Sequence, residues 1–342
     1  MSVPVSPWRL SVAPMMGWTD RHCRYFHRLL TRHTLLYTEM VTTGALIHGN
    51  AAQHLHFNEE EHPVALQLGG SEPADLAVCA KMGADRGYDE INLNCGCPSE
   101  RVLRGAFGAC LMGEAALVRD GVKAMVDVVD VPVTVKHRIG IDRVESYDFV
   151  RDFVGTVAEG GCRVFLVHAR NAWLKGLSPK ENREIPPLRY ELVYRLKQDF
   201  PDLVIAVNGG VSTPEQIAGH LQHVEGVMLG REAYHNPWLM ADWDTRFFDD
   251  TSRPTPTREA VEEAMVGYME RAHAEDGVNW YSIASHMLGL RHGLRGARRW
   301  RQVWSDHRLK PLPPREVWAL AQAHVYPADA EPRADVIVRP LS

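Results

Sequence analysis

The sequence has no run of about 18 apolar residues, so no segment is expected to span a membrane. Its opening stretch, MSVPVSPWRLSVAP, lacks a basic segment followed by an apolar one, which argues against secretion and for a soluble, cytoplasmic protein. Cysteine is scarce: six in 342 residues, scattered at 23, 79, 95, 97, 110 and 162, unlike a disulfide framework. Cys95 and Cys97 have no second pair at zinc spacing, so no metal site is expected. No G-x-x-x-x-G-K-[ST] loop is present and no G-x-G-x-x-G follows the first strand, which disfavours a nucleoside triphosphate or a Rossmann-bound dinucleotide. No repeat of about 20 to 50 residues stands out. An excess of positive charge is also missing, since the net charge is -5. Basic residues do gather in RHGLRGARRWRQVWSDHRLK, where Arg291, Arg295, Arg298, Arg299, Arg301, Arg308 and Lys310 face only Asp306. Nearby charges set the field at close range, so such a block can meet phosphates on an acidic protein.

Apolar content of 45% and charged content of 24% are those of an ordinary globular chain. Short apolar, β-favouring runs recur at Leu10–Ala13, Leu35–Met40, Pro63–Leu68, Glu90–Asn94, Pro132–Lys136, Val164–His168, Val204–Asn208 and Gly226–Leu229, separated by amphipathic stretches such as PADLAVCAKMGADRG. The runs read as continuous rather than alternating, as in strands buried on both faces. Eight strand–helix units predict an α/β fold, a (β/α)8 TIM barrel, with a doubly wound open sheet as the competitor. After Arg231 the character changes: FFDDTSRPTPTREA reads as a hinge, and REAVEEAMVGYMERAHAED and YSIASHMLGLRHGL have helical periodicity. The expected organisation is a barrel over 1–245, a smaller C-terminal α-helical domain over 246–325 and a loose tail over 326–342.

Polar and reactive residues follow the C-terminal ends of these runs, the edge where barrel enzymes carry their chemistry. One face should therefore collect Glu39, Gln67, Asn94, Cys97, Lys136, Arg138, His168, Arg170, Asn208 and Arg231. VNGG and MLGR end the seventh and eighth strands, where backbone N–H groups of barrels form phosphate sites and Arg231 can add a charged contact. Taken singly, each glycine motif is equally a tight turn. With Gln67 at the third strand end and Lys136 at the fifth, the set suggests flavin mononucleotide. An amide pairs both ways with the ring edge, and an ammonium stabilises the reduced flavin's charge. Lys136 read alone also admits Schiff-base formation, phosphate binding or a surface position. In NLNCGCPS, a C-x-C redox pair is strained. Strand alternation turns Cys95 away, which leaves Cys97, held between Gly96 and Pro98, as the functional thiol and a general acid near pH 7.

The motifs SVAPMMGWTDRHCRYFHR, LYTEMVTTGALIHGN, HPVALQLGGS, YDEINLNCGCPSERV, FGACLM, VTVKHRIGID, VHARNAWLKGLSPKENREIPPLRY, VNGGV and GVMLGREAYHNPW resemble those of the tRNA-dihydrouridine synthases, nearest to subfamily A, from about residue 8 to about 305. The resemblance implies an FMN enzyme that uses NADPH to reduce the uridine C5–C6 bond at positions 20 and 20a of the tRNA D-loop, with Cys97 protonating C5. It also implies that Pro14, Met15 and Met16 lie along the flavin, that Gln67 and Lys136 bond its ring edge, and that His168 contacts it. Asn208, Gly209, Gly210, Gly230 and Arg231 would hold the phosphate side. Asn94 would contact the target base or its ribose, and Lys180 and Arg183 the tRNA. Arg295, Arg298 and Arg299 of the basic block are further tRNA candidates, whereas Trp300 and Trp304 are expected to pack. Cys95 departs from the aliphatic residue usual at its position. A monomer is expected. The competing function, an FMN oxidoreductase acting on a free pyrimidine or an enone, leaves the basic domain and KENREIPP without a purpose.

Overall fold

The computed structural model describes residues 5–99 and 105–325. Its strands are β1 (Leu10–Val12), β2 (Leu35–Tyr37), β3 (Val41–Thr42), β4 (Val64–Gly69), β5 (Glu90–Cys95), β6 (Val133–Arg138), β7 (Val164–His168), β8 (Val204–Asn208) and β9 (Gly226–Leu229). All pair in parallel, in the order β2-β1-β9-β8-β7-β6-β5-β4-β3, and a further β2–β4 pairing closes the circle. Eight strands form the barrel; the two-residue β3 is an extra that pairs only with the end of β4, at Leu68 and Gly69. Each expected run supplies one barrel strand. Because every strand is parallel, all eight C-terminal ends open on one rim.

The outer faces of the strands meet a ring of helices. Helix Arg21–Leu30 starts where the Asp20 carboxylate accepts from the N–H groups of His22 and Cys23. Helix Pro214–His220 starts with a capping box between Thr213 and Gln216. Inside the barrel, Ala13, Leu35, Tyr37, Ala65, Leu166, Ala206 and Met228 pack together with half-buried Trp8. Three strands depart from the continuous apolar pattern expected of them. On β5, Glu90, Asn92 and Asn94 share the inner face while Ile91, Leu93 and Cys95 face the helices. Registers Gln67↔Asn92, Asn92↔Thr134 and Asn94↔Lys136 extend this polar face across β4, β5 and β6. At the rim opposite the strand ends, the Glu90 carboxylate accepts from Trp8 Nε1 and Tyr37 Oη, both at 2.6 Å, and from Thr134 Oγ1. Burial pushes the Glu90 carboxyl up to about 7, and these three donors oppose that push.

The chain divides into two compact units, Met1–Thr257 and Arg258–Ser342. The helix that carries position 245, Trp243–Phe248, belongs to the first unit: Asp244 accepts from Thr31 Oγ1 at 2.7 Å and from the Arg32 N–H at 2.8 Å. Within its described part the second unit is helical, with α-helices Arg258–Asp276, Trp280–Ala284, Ala297–Trp304 and Pro314–Gln322. Its core contains Met265, Met269, Ile283, Met287, Leu290, Trp300 and Trp304, so both tryptophans pack, as expected. A charge lies in that core. Glu262, fully buried, receives Arg291 Nε at 2.5 Å, the Nε1 groups of Trp300 and Trp318, and Gln322 Nε2. Arg291, counted with the basic block by sequence, is thus a core residue, because its guanidinium is consumed by Glu262 and Glu259. Arg308 of the same block pairs with Asp306. Arg295, Arg298, Arg299 and Arg301 are exposed. The expected tail, 326–342, lies outside the described residues.

Candidate active site

The turn after β5 is built by Asn94, whose Oδ1 accepts from the N–H groups of Gly96 and Cys97 at 3.0 Å each. This turn places the Cys97 thiol, half-buried, within 3.4 Å of Ser99 Oγ. Cys95 is fully buried on the outer side of the strand, where burial drives its thiol far above the usual range. All six cysteines are free. Asn94, expected on the nucleotide, has its oxygen committed to this turn and one Nδ2 hydrogen committed to Gln67 Oε1 at 2.9 Å, which leaves its second Nδ2 hydrogen. Gln67 is buried, and its Nε2 donates to Asn92 Oδ1 at 2.8 Å; one hydrogen and one lone pair of its amide remain.

Across the rim, Lys136 Nζ donates to Asn208 Oδ1 at 3.2 Å and has no carboxylate partner among the described residues. Loss of water around its ammonium, with Arg138 nearby, pushes Lys136 down to about 7; Cys97 acts in the opposite sense. His168 sits between Arg138 and Asn208 in the strand register, and its ring makes no hydrogen bond among the described residues. Desolvation and the cations Arg138, Lys136, Arg170 and Arg183 hold it well below its ordinary value, hence neutral. The rim is therefore strongly positive although the chain is acidic overall.

After β8, Gly209 and Gly210 adopt φ of +116° and +71°. A Cβ at Gly209 would fall 2.7 Å from His168 Cδ2, and one at Gly210 would fall 2.5 Å from Leu188 Cδ1, so only bare backbone fits here. Tyr190 Oη donates to the Gly209 carbonyl at 2.6 Å and pins this turn. Beside Gly230, a Cβ would lie 3.9 Å from Met15 Sδ, which brings the β1 and β9 loops together. Pro14 and Met15 are half-buried, while Met16 is 60% exposed. Arg231 Nη1 pairs with Glu184 Oε1 at 2.7 Å, and Arg170 Nη1 donates to the carbonyls of Glu184 and Pro186. Lys180 and Arg183, in the same loop, are exposed.

Arg138 is the residue whose part sequence reasoning missed. Its Nε donates to the Gly96 carbonyl at 3.1 Å, and its Nη1 to the carbonyls of Asn171 and Asn182 at 3.2 and 2.9 Å. It thus ties the Cys97 turn to the loop after β7. Tyr190, Asn92 and Thr134 were missed as well; for Asn92 the alternation E-x-N-x-N in β5 was the available signal, and for Thr134 the alternation T-x-K-x-R in β6. Among the described residues no group of three or more His, Cys, Asp or Glu is placed to hold a metal ion.

Comparison with known proteins adds lineage to this geometry. Residues 11–316 match the profile of the family described as dihydrouridine synthase. A protein of Vibrio parahaemolyticus named tRNA-dihydrouridine(20/20a) synthase is 60% identical over 304 residues, covering 89% of this chain and 92% of that one. One of the same name from Escherichia coli K12 is 59% identical over 303 residues, covering 88% and 87%. Among solved structures, a 2-naphthoyl-CoA reductase complex superposes with a TM-score of 0.52 at 11% identity over 68% of this chain and 49% of that chain, a likeness of fold.

Proposed function

We propose, for a chain that belongs to the dihydrouridine synthase family, that it reduces the C5–C6 bond of uridines 20 and 20a in the D-loop of tRNA. The observation that carries this reading is the pairing, on adjacent strand ends of one rim, of a half-buried thiol, Cys97, with a desolvated ammonium, Lys136, that has no anionic partner among the described residues. The family's cofactor is FMN, and the residues present fit it. Bare glycine backbone at Gly209 and Gly210 suits a phosphate, and Lys136 suits the anionic edge of a reduced ring. In this reading Pro14, Met15 and Met16 line the ring, while Gln67, Lys136 and His168 meet its polar atoms. Asn208, Gly209, Gly210, Gly230 and Arg231 hold the phosphate side. When bound, FMN supplies hydride to C6 of the uracil, with electrons taken from NADPH.

The chain's own residues then do three things. Cys97 gives a proton to C5, and the thiolate it leaves lies within the field of Lys136, Arg138 and Arg183. The positive rim, with Lys180 and Arg183 on the loop after β7, draws the sugar–phosphate backbone toward an extruded base. Arg295, Arg298 and Arg299 of the helical unit add contacts suited to a folded RNA, which is recognised by shape and backbone. The protein acts as a cytoplasmic monomer. The deciding assay incubates purified protein with NADPH and unmodified tRNA and maps dihydrouridine; product at positions 20 and 20a supports the reading, and unaltered tRNA refutes it.

Two further outcomes follow from the charges. Lys136 titrates at about 7 without an anion beside it, and a bound anion raises that value. Flavin binding therefore takes up a proton above about pH 7, and FMN affinity falls as pH rises from there toward the ordinary lysine range near about 10.4. The FMN phosphate is already fully ionised in that window, its second pKa being about 6. Titration of flavin-free protein at several pH values should show this decline in wild type and a flat, weaker profile in Lys136→Met. Second, Arg298→Glu with Arg299→Glu should weaken tRNA binding and lower the salt slope by about 1 per lost phosphate contact. NADPH oxidation without tRNA should be untouched, and its parallel loss would mean that the variant has misfolded.

A further inference from the structure

A file of hydrogen bonds runs through the barrel from the Cys97 turn to the opposite rim. The N–H groups of Gly96 and Cys97 donate to Asn94 Oδ1, and Asn94 Nδ2 donates to Gln67 Oε1. Gln67 Nε2 donates to Asn92 Oδ1, Asn92 Nδ2 to Thr134 Oγ1 at 2.8 Å, and Thr134 Oγ1 to Glu90 Oε1. All five side chains are buried. Glu90 and Asn94 lie four residues apart on β5, about 13 Å along the strand.

We propose that Glu90 is a positioning residue for the chemistry at the far rim: its carboxylate, acting through Thr134, Asn92 and Gln67, fixes the direction of the Asn94 amide and so holds the Cys97 turn. The reason is polarity. Amide groups can be turned end for end, but a backbone N–H can only donate, and a carboxylate that already receives Trp8 Nε1 and Tyr37 Oη is held to accepting. At the rim, two N–H groups demand that Asn94 present its oxygen. At the floor, the carboxylate demands a hydroxyl proton from Thr134, which must then accept from Asn92. The two demands agree, and every link between them runs the same way. Turning any one amide would set donor against donor on one side and acceptor against acceptor on the other, each leaving a buried group unpaired. The sense of the Gln67 amide, with its one spare hydrogen and one spare lone pair, is fixed by the same file.

The other groups around the carboxylate strengthen this assignment. Trp8 Nε1 and Tyr37 Oη both donate to Glu90. A glutamine at 90 would bring an NH2 donor against one of the donors Trp8, Tyr37 or Thr134. The carboxylate is the side chain of this size that accepts from all of them at once.

This inference rests on the reading of Gln67 as a flavin contact and Cys97 as the acid, and the test separates the two. Flavin-free protein is titrated with FMN by flavin fluorescence, and dihydrouridine formation on tRNA is followed in the same variants. Thr134→Val keeps the shape and removes the relaying hydroxyl. It is expected to weaken FMN binding about tenfold and slow product formation at least as much, the size of one buried hydrogen bond's loss, with KM for tRNA unchanged. Thr134→Ser, which restores the hydroxyl, should restore both, and Glu90→Gln should act in the same direction as Thr134→Val. Tyr37→Phe removes a donor to Glu90 outside the file and should lower Tm while leaving FMN affinity near wild type. Wild-type FMN affinity and rate in both Thr134→Val and Glu90→Gln overturn the proposal, as does equal loss in Tyr37→Phe, which would mark plain packing. If one of the first pair fails to fold, the other carries the same test. Wild-type protein that binds FMN and forms no dihydrouridine defeats the functional reading instead, and the flavin titration still judges the file.

Discussion

Cys97→Ala should bind FMN with an unchanged spectrum, oxidise NADPH at the wild-type rate without tRNA, and form dihydrouridine about 10²–10⁴-fold more slowly, the range expected when a general acid is removed. The geometry isolates this effect. Among the described residues the thiol's partner is Ser99 Oγ, and Cys97 shapes its turn through main-chain atoms that alanine retains: its N–H to Asn94 and its carbonyl to the Ala109 N–H at 3.0 Å. Cys95→Ala is the internal control, since that sulfur lies buried on the outer face of β5. Single-turnover product formation with reduced flavin is the measurement. A Cys97→Ala enzyme as fast as wild type would remove the thiol from the mechanism, and a slow Cys95→Ala enzyme with intact flavin would show that the wrong sulfur had been chosen.

Glu262→Ala should cost the helical unit about 3–5 kcal/mol, the usual penalty for breaking a buried ion pair from one side. The substitution takes from Arg291 Nε the carboxylate held at 2.5 Å, with Glu259 as its remaining acidic partner, and leaves the indole N–H groups of Trp300 and Trp318 and the Gln322 amide without their shared acceptor. Burial raises the Glu262 carboxyl above its ordinary value, and Arg291 with the indole donors pulls it back. Urea unfolding followed by tryptophan fluorescence reads the change, because Trp280, Trp300, Trp304 and Trp318 all lie in this unit. Affinity for tRNA should fall with it, while FMN binding persists. A loss below about 1 kcal/mol would mean that the carboxylate is solvated and the network incidental.

Much of this molecule was legible from residue order. The eight strands stand where short β-favouring runs predict them, because a strand enclosed between a barrel core and helices needs apolar residues outward whatever it carries inward. Cys97 and Lys136 could be singled out because a thiol beside Gly–Pro constraints and a lysine closing an apolar run are unusual in themselves. The inner faces of β4 to β6 were not legible. EINLN and VTVKHR alternate polar with apolar, yet their aliphatic members dominate the impression of a continuous run. Partners that make a buried Glu90 or Asn92 tolerable come from strands 25 to 53 residues away. Glu262 illustrates the same limit. It is one of three glutamates in REAVEEAM, and only its place on the face of Met265 and Met269 sets it apart from Glu259 and Glu263. Arg291 was misread because a basic block says how many cations are present and nothing about which of them point inward. The unit boundary shifted from 245 to 257 because Asp244 anchors its helix to the end of helix Arg21–Leu30, a contact between residues more than two hundred apart.

The guanidinium of Arg138 grips Gly96 on one side and Asn171 and Asn182 on the other. The loop after β7 and the sulfur-bearing turn therefore share one guanidinium as a pivot. In the proposed reading, an RNA that settles against Lys180 and Arg183 presses on a loop held to the Cys97 turn through Arg138, so docking and proton delivery would be mechanically linked.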